Sequence, residues 1–154
     1  MASLTPYFSW AEVTRSETAK AKGIDNAVPV ALHDGIVRTA QFMECIRAHL
    51  GKPIKVNSWY RCPALNLAVG GSKSSAHMRG LAVDWEPVGM DLLVAFERVR
   101  TSSLPFDQLI IERTKDGAAW IHVGLSEGPP RREALQASGA ALGGSMTFTR
   151  VALG

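Results

Sequence analysis

Two histidines and an aspartate have the types and spacing in this chain that could do chemistry. The run Ser75-Ala76-His77-Met78-Arg79-Gly80-Leu81-Ala82-Val83-Asp84-Trp85 sets an imidazole and a carboxylate seven residues apart across a glycine. Leu81, Val83 and Trp85 alternate with Ala82 and Asp84, a period of two that puts Asp84 on a strand and His77 just before it. A second imidazole, His122, arrives on another short alternating segment, Trp120-Ile121-His122-Val123. If the two strands are neighbours, His77, Asp84 and His122 converge on one cation. Three such ligands, with a fourth position left to water, suit a catalytic zinc; structural zinc sites close the shell, mostly with cysteine. Spacing alone leaves open the plainer reading of surface or hydrogen-bonded residues at strand ends.

These residues resemble a known family. SxHxxGxAxD followed by a WxHV strand is similar to the zinc D-alanyl-D-alanine carboxypeptidases of peptidase family M15, which share a metal core with the Hedgehog signalling domain. The likeness extends upstream to Asn57-Ser58-Trp59-Tyr60-Arg61-Cys62-Pro63-Ala64-Leu65-Asn66 and to Val69-Gly70-Gly71-Ser72. These resemble the SGYRSPxLN and vGGS segments of the phage and prophage branch. Leu4 to Val28 also takes part, so the likeness covers most of the chain up to about Arg132. The resemblance implies bound Zn2+, a Hedgehog/DD-peptidase-like fold, and the peptide portion of bacterial peptidoglycan as substrate.

Arg61 stands in a loop beside the proposed site. Its planar fork suits a carboxylate, and a peptidase acting near a peptide's C-terminal end needs such an anchor. The structural alternative is a local ion pair with Asp or Glu. Ser75 is expected to hydrogen-bond substrate or to orient the loop of His77. Gly70-Gly71-Ser72-Lys73-Ser74-Ser75 is a turn-forming stretch, not a phosphate loop, because no GK[ST] follows. His33 and His49 lie on a helix without motif context and are expected at its surface or end.

A chain of 154 residues with 46% hydrophobic and 20% charged side chains is expected to be a single domain, spanning 1–154, with about 133–154 a loosely ordered tail. Seventeen basic against fourteen acidic residues give a charge of only +3, with no dense basic run of the kind that marks a nucleic-acid partner. Cys45 and Cys62 form no CxxC and are expected as reduced thiols. Met1 to Trp10 shows no positive patch before an apolar stretch, and no apolar run approaches the roughly 18 residues of a membrane span. The protein is expected to be made in the cytoplasm without a signal peptide and without membrane insertion, and to act as a monomer. A phage particle, a lysis event or a secretion device would then carry it to the cell wall.

The elements that must position the site follow in order. Ser9 and Glu12 have capping-box spacing and open a helix to about Lys22, stopped by Gly23. Leu32, Ile36, Met43, Ile46 and Leu50 keep one face of a helix over 29–50 apolar, with Gly51 as its stop. Strands are expected near 53–59, 81–86, 107–113 and 119–125, a short helix near 63–69, and a helix over 91–100. Glu133 to Ala137 has a short helical possibility. Met146 to Val151 reads equally as a strand or as disorder. Segregated helices, not βαβ alternation, predict an α+β fold: a small, mostly antiparallel sheet with helices packed on one side.

Register in the hairpin around Thr114-Lys115-Asp116-Gly117-Ala118 selects the acid that works with the metal. A two-residue turn at Asp116-Gly117 would mix Glu112 into the face of Ile121 and Val123. The register slipped by one residue opposes Leu109 to Leu125, Ile111 to Val123 and Glu112 to His122. It leaves Gln108, Ile110, Glu112, Trp120 and His122 on one face. Glu112 is then the expected general base and acid, with Asp116 the second candidate. Glu112 could alternatively only hold a histidine by a hydrogen bond. Many relatives carry the acid three residues before the last histidine, where this chain has Ala119. The expected activity is zinc-dependent hydrolysis of peptidoglycan peptides, as D-Ala-D-Ala carboxypeptidase or endopeptidase, in a phage or prophage lysis or tail-associated setting. The rival is a zinc-containing module that binds cell-wall peptide or protein without turnover.

Overall fold

Strands with a period of two bury one face and leave the other free, and that division arranges this molecule. The computed structural model describes residues 2–139 and 146–153. Its sheet holds β1 (Ile54–Ser58), β2 (Ala82–Pro87), β3 (Gln108–Thr114), β4 (Ala119–Gly124), β5 (Glu133–Gly139) and β6 (Met146–Val151). Their spatial order is β1-β2-β4-β3-β5-β6, with every pair antiparallel except β3 and β5. The fold is α+β, as expected, with β5 a strand that the sequence did not suggest and β6 the one it left open.

Two helices cover one face. Along α3 (His33–Leu50), Ile36, Ala40, Met43, Ile46 and Leu50 recur at helical spacing and are buried. With Ala95, Phe96 and Val99 of α5 (Leu92–Arg100) they pack on Val83, Trp85, Leu109, Ile111, Ile121 and Val123. Gly51 ends α3 in the left-handed region, and Asp91 caps α5 through the Val94 N–H. Asp84, Ile110, Glu112, Trp120 and His122 alternate with the core residues and share the uncovered face.

Three expectations need correction. The helix from Ser9 to Lys22 is two, α1 (Trp10–Thr14) and α2 (Glu17–Lys22). The Ser9–Glu12 capping box forms, but Arg15 is extended, and Ser16 caps α2 by accepting from the Ala19 N–H at 3.1 Å. Arg15 uses the break to reach the Val56 carbonyl of β1 at 2.8 Å. The Glu133–Ala137 helix is instead part of β5, aligned by Gln108 and Glu133 (2.9 Å) and by the fork of Arg131 on Asp107. Met146–Val151 is strand β6, while 140–145 of the expected loose tail lie outside the described residues.

The third correction is the hairpin register. Leu109 faces Val123, Ile110 faces His122, Ile111 faces Ile121 and Glu112 faces Trp120. The loop is Lys115-Asp116-Gly117, closed by Thr114 and Ala118, whose backbone hydrogen bond is 2.8 Å. A three-residue loop needs its last position left-handed, and Gly117 supplies φ 91° there; the expected register would have asked this of Ala118. The offset from the expected pairing is two residues, so every side chain keeps its expected face.

A 3-10 turn (Ala76–Arg79) delivers His77 and ends at Gly80, whose φ is 71°. A Cβ on Gly80 would stand 2.1 Å from Ile36 Cδ1, so α3 and this turn meet with no room for a methyl group. Gly80→Ala should therefore lower the unfolding free energy by about 1–3 kcal/mol, from backbone strain plus displacement of Ile36. The measurement is the urea midpoint, and an unchanged midpoint would refute this close approach.

Candidate metal centre

His77 is fixed by backbone groups before any ligand is considered. Ser75 Oγ accepts from the His77 N–H at 3.2 Å, which holds the start of the 3-10 turn. His77 Nδ1 lies 2.6 Å from the Trp59 carbonyl; a carbonyl only accepts, so Nδ1 carries the proton. Trp59 is itself anchored, fully buried and donating its indole N–H to the Gly80 carbonyl at 3.1 Å. The other ring nitrogen, Nε2, is buried without a hydrogen-bond partner and faces Asp84 Oδ2 at 3.3 Å.

Asp84 on β2 is directly opposite His122 on β4. Its Oδ1 lies 3.0 Å from His122 Nδ1, and the two imidazole rings meet edge to face with centroids 5.2 Å apart. One ligand atom from each of His77, Asp84 and His122 falls within 4.8 Å of the others. Burial opposes the charge on Asp84, but His77 and His122 hold its carboxyl far below the usual carboxylate range. Burial also pushes the His77 imidazole down, against the pull of Asp84. At His122 burial pushes down too, but the hydrogen bond and charge of Asp84 outweigh it and raise the imidazole.

The residues fit a metal. With its one proton committed to Trp59, neutral His77 points a bare lone pair at an ionised carboxylate oxygen, an arrangement that repels unless something positive lies between. A cation bound by all three groups removes that repulsion. Two histidines and an aspartate are zinc donors, and the carbonyl on His77 Nδ1 is the kind of outer partner that orients zinc-ligating imidazoles.

The same cleft, about 820 Å³, is lined by Arg61, Ser75, Glu112 and Trp120 as well as His77, Asp84 and His122. Glu112 shares a face with His122 but lies across from Trp120, with Ile110 opposite the histidine. Burial and the charge of Asp84 push its carboxyl up, against the pull of His122 and Arg61, to about 7. Arg61 is drawn below its ordinary value by burial, partly offset by Asp84 and Glu112. Its Nε is buried without a partner, and among the described residues no carboxylate lies within ion-pair distance, so the local-pair alternative is not what is found.

Asp116 sits exposed at the hairpin tip and is not among the residues that line the cleft. His33 and His49 contact the carbonyls of Val28 and Arg98 instead of joining the cluster. Cys45 and Cys62 are free thiols, and Cys62 Sγ caps α4 (Pro63–Ala68). Sequence reasoning missed the Trp59 carbonyl, whose only signal was its place two residues before Arg61. It also missed the seat of that arginine, where a Cβ on Gly71 would stand 2.0 Å from Asn66 Oδ1 and 2.9 Å from an Arg61 terminal nitrogen.

A family model described as Peptidase M15 matches residues 6–124, a span that contains His77, Asp84, Glu112 and His122 and ends with β4. No curated protein matches the chain.

Zinc affinity should fall as pH falls. Metal ligation needs unprotonated imidazoles, and the raised pKa of His122 means that it still holds a proton at a pH where a free histidine would not. His77, pushed down, has none to lose. Calorimetry in buffers of differing ionisation enthalpy should register proton release on zinc binding below neutrality, fading as pH rises, with the His122 share remaining in Glu112→Gln, which removes the carboxyl that also loses its proton when the Asp84 charge is neutralised. Zinc uptake without proton release across that range would contradict the Asp84–His122 pairing.

Proposed function

The chain belongs to the Peptidase M15 family, and from that premise we propose that it is a zinc metallopeptidase cleaving peptide bonds of bacterial peptidoglycan. His77, Asp84 and His122 would hold the metal. What supports the reading is their juxtaposition in one cleft with an acid of raised pKa and an arginine whose Nε is buried without a hydrogen-bond partner among the described residues. Zinc, when bound, supplies Lewis acidity that polarises a carbonyl and draws the pKa of water toward about 7.

The remaining work falls to the protein's side chains. Glu112 takes a proton from the attacking water and returns it to the leaving amine nitrogen. A carboxyl near 7 in the metal-free cleft owes part of that value to Asp84; with the Asp84 charge neutralised by ligation, Glu112 is ionised and ready to accept at neutral pH. Arg61 grips a substrate carboxylate by two parallel N–H donors, which favours cleavage close to a peptide's C-terminus. Ser75 keeps the His77 turn in place.

The setting we propose is the cell wall, in phage or prophage lysis or as a tail component, on the strength of the YRCPALN and VGGS segments. No helix among the described residues is long and apolar enough to cross a membrane.

Glu112→Gln should keep fold and zinc yet lose about 100-fold or more in turnover, measured as amine or D-alanine released from purified peptidoglycan. Asp116→Asn should be nearly silent. Loss in Asp116→Asn but not in Glu112→Gln would overturn the assigned base, and an inert zinc-loaded parent would favour the binding module.

Arg61→Lys keeps the charge but loses the fork, and should weaken cleavage of peptides with a free C-terminus by about 1–3 kcal/mol in kcat/KM with zinc content unchanged. Equal loss on a C-terminally amidated peptide would assign Arg61 a structural role.

A further inference from the structure

The family match ends with β4, yet the cleft does not. Beyond β3 the uncovered face continues through β5 and β6, where Leu135, Met146 and Phe148 line the same cleft as the metal ligands. The register lays these residues out in rows across the strands. One row runs His122, Ile110, Leu135, Arg150, and the next runs Trp120, Glu112, Ala137, Phe148. Phe148, at the end of its row on the edge strand, is 54% exposed, although it is the largest apolar side chain of β6.

We propose that this C-terminal hairpin is the subsite for the upstream, N-terminal part of an extended peptide substrate, with Phe148 receiving an apolar group at its far end. The inference rests on the peptidase reading above, in which Arg61 takes the C-terminal side. Arg61 enters from the chain that leaves β1, so the opposite direction from the metal leads across β3 and β5 to β6.

Distance sets the length. Strands lie about 4.8 Å apart, so the three spacings from β4 to β6 cover about 14 Å, and an extended peptide at about 3.3 Å per residue spans that with about four residues. Chemistry sets the character. Ile110, Leu135, Ala137 and Phe148 offer no charge, and the nearby cations are already matched, Arg150 to Glu133 at 3.1 Å and Arg131 to Asp107 at 2.9 Å. Leu135, Ala137 and Phe148 take the apolar parts of the peptide, and Glu112 and Arg150 stand in the same rows beside them.

The test is a ladder of peptides of two to six residues, each with a phosphinate in place of the final amide so that none is cleaved, titrated by calorimetry into the zinc-loaded protein. Affinity should climb about tenfold as residues are added upstream to about the fifth, and then level off. Phe148→Ala should remove most of that climb while leaving the affinity for the shortest member unchanged, which also reports that the variant is folded; Phe148→Leu should restore part of it. Equal affinity at every length, or a loss in Phe148→Ala that is the same for the shortest and longest members, overturns the subsite and leaves the peptidase reading standing. No binding by any member overturns both. A flat ladder accompanied by a change in sedimentation of Phe148→Ala would assign this face to a second copy of the chain and refute the proposal.

Discussion

The hydrogen bond from His77 Nδ1 to the Trp59 carbonyl is the constraint from which the site follows. It commits the only proton of a neutral imidazole to the protein side, so Nε2 is left bare and buried against Asp84 Oδ2 at 3.3 Å. Two acceptors held that close in a low-dielectric interior are costly unless a cation or a proton stands between them. Trp59 cannot drift to relieve the contact. Its ring is edge-to-face against Phe8, and its N–H is spent on the Gly80 carbonyl that closes the turn bearing His77. The candidate metal site is thus preformed by groups outside the His77, Asp84 and His122 cluster, and the preference for a positive guest is a property of the folded chain.

The sheet separates the task of folding from the task of binding. Val83, Trp85, Leu109, Ile111, Ile121 and Val123 face α3 and α5, while the residues between them, Asp84, Ile110, Glu112 and His122, face the cleft. A period of two makes each strand supply both sets, so a ligand on the open face is held as rigidly as the core residue next to it. Arg61 is the exception, carried on a loop, and its rigidity comes from crowding. The glycine at position 71 lets the following loop press against Asn66 and the guanidinium, and Asn66 donates to the Ser72 carbonyl at 2.9 Å to keep that loop closed.

That periodicity is also why the site was legible in the sequence while its geometry was not. Alternation identified the faces of Asp84, Glu112 and His122, and a register error of two residues left every face intact. The partner of each residue along the ladder was a different matter, because it depended on which loop position Gly117 would fill. Motif spacing brought out the ligands and Arg61, whereas the Trp59 carbonyl is a backbone group and has no side-chain signature. The segment EALQASG has local helix formers and gave a helical reading; what makes it β5 is pairing with β3, residues distant in sequence, aligned by Asp107, Gln108 and Arg131. Local propensity is overridden there by tertiary pairing, which no short window contains.

β5 also governs how far Glu112 is shielded from water. An antiparallel sheet ending at β3 would leave Glu112 on an edge strand, where water reaches the carboxylate from the side and burial opposes its charge less. β5 covers that edge by parallel pairing, and Ala137, buried directly beside Glu112, takes the place of solvent. The desolvation that raises Glu112 to about 7 therefore draws on a strand that lies outside the segment matched to the family. β5 and β6 lie beyond Glu112 and continue the open face past it, so the surroundings of Glu112 and the extent of the cleft depend on the same two strands.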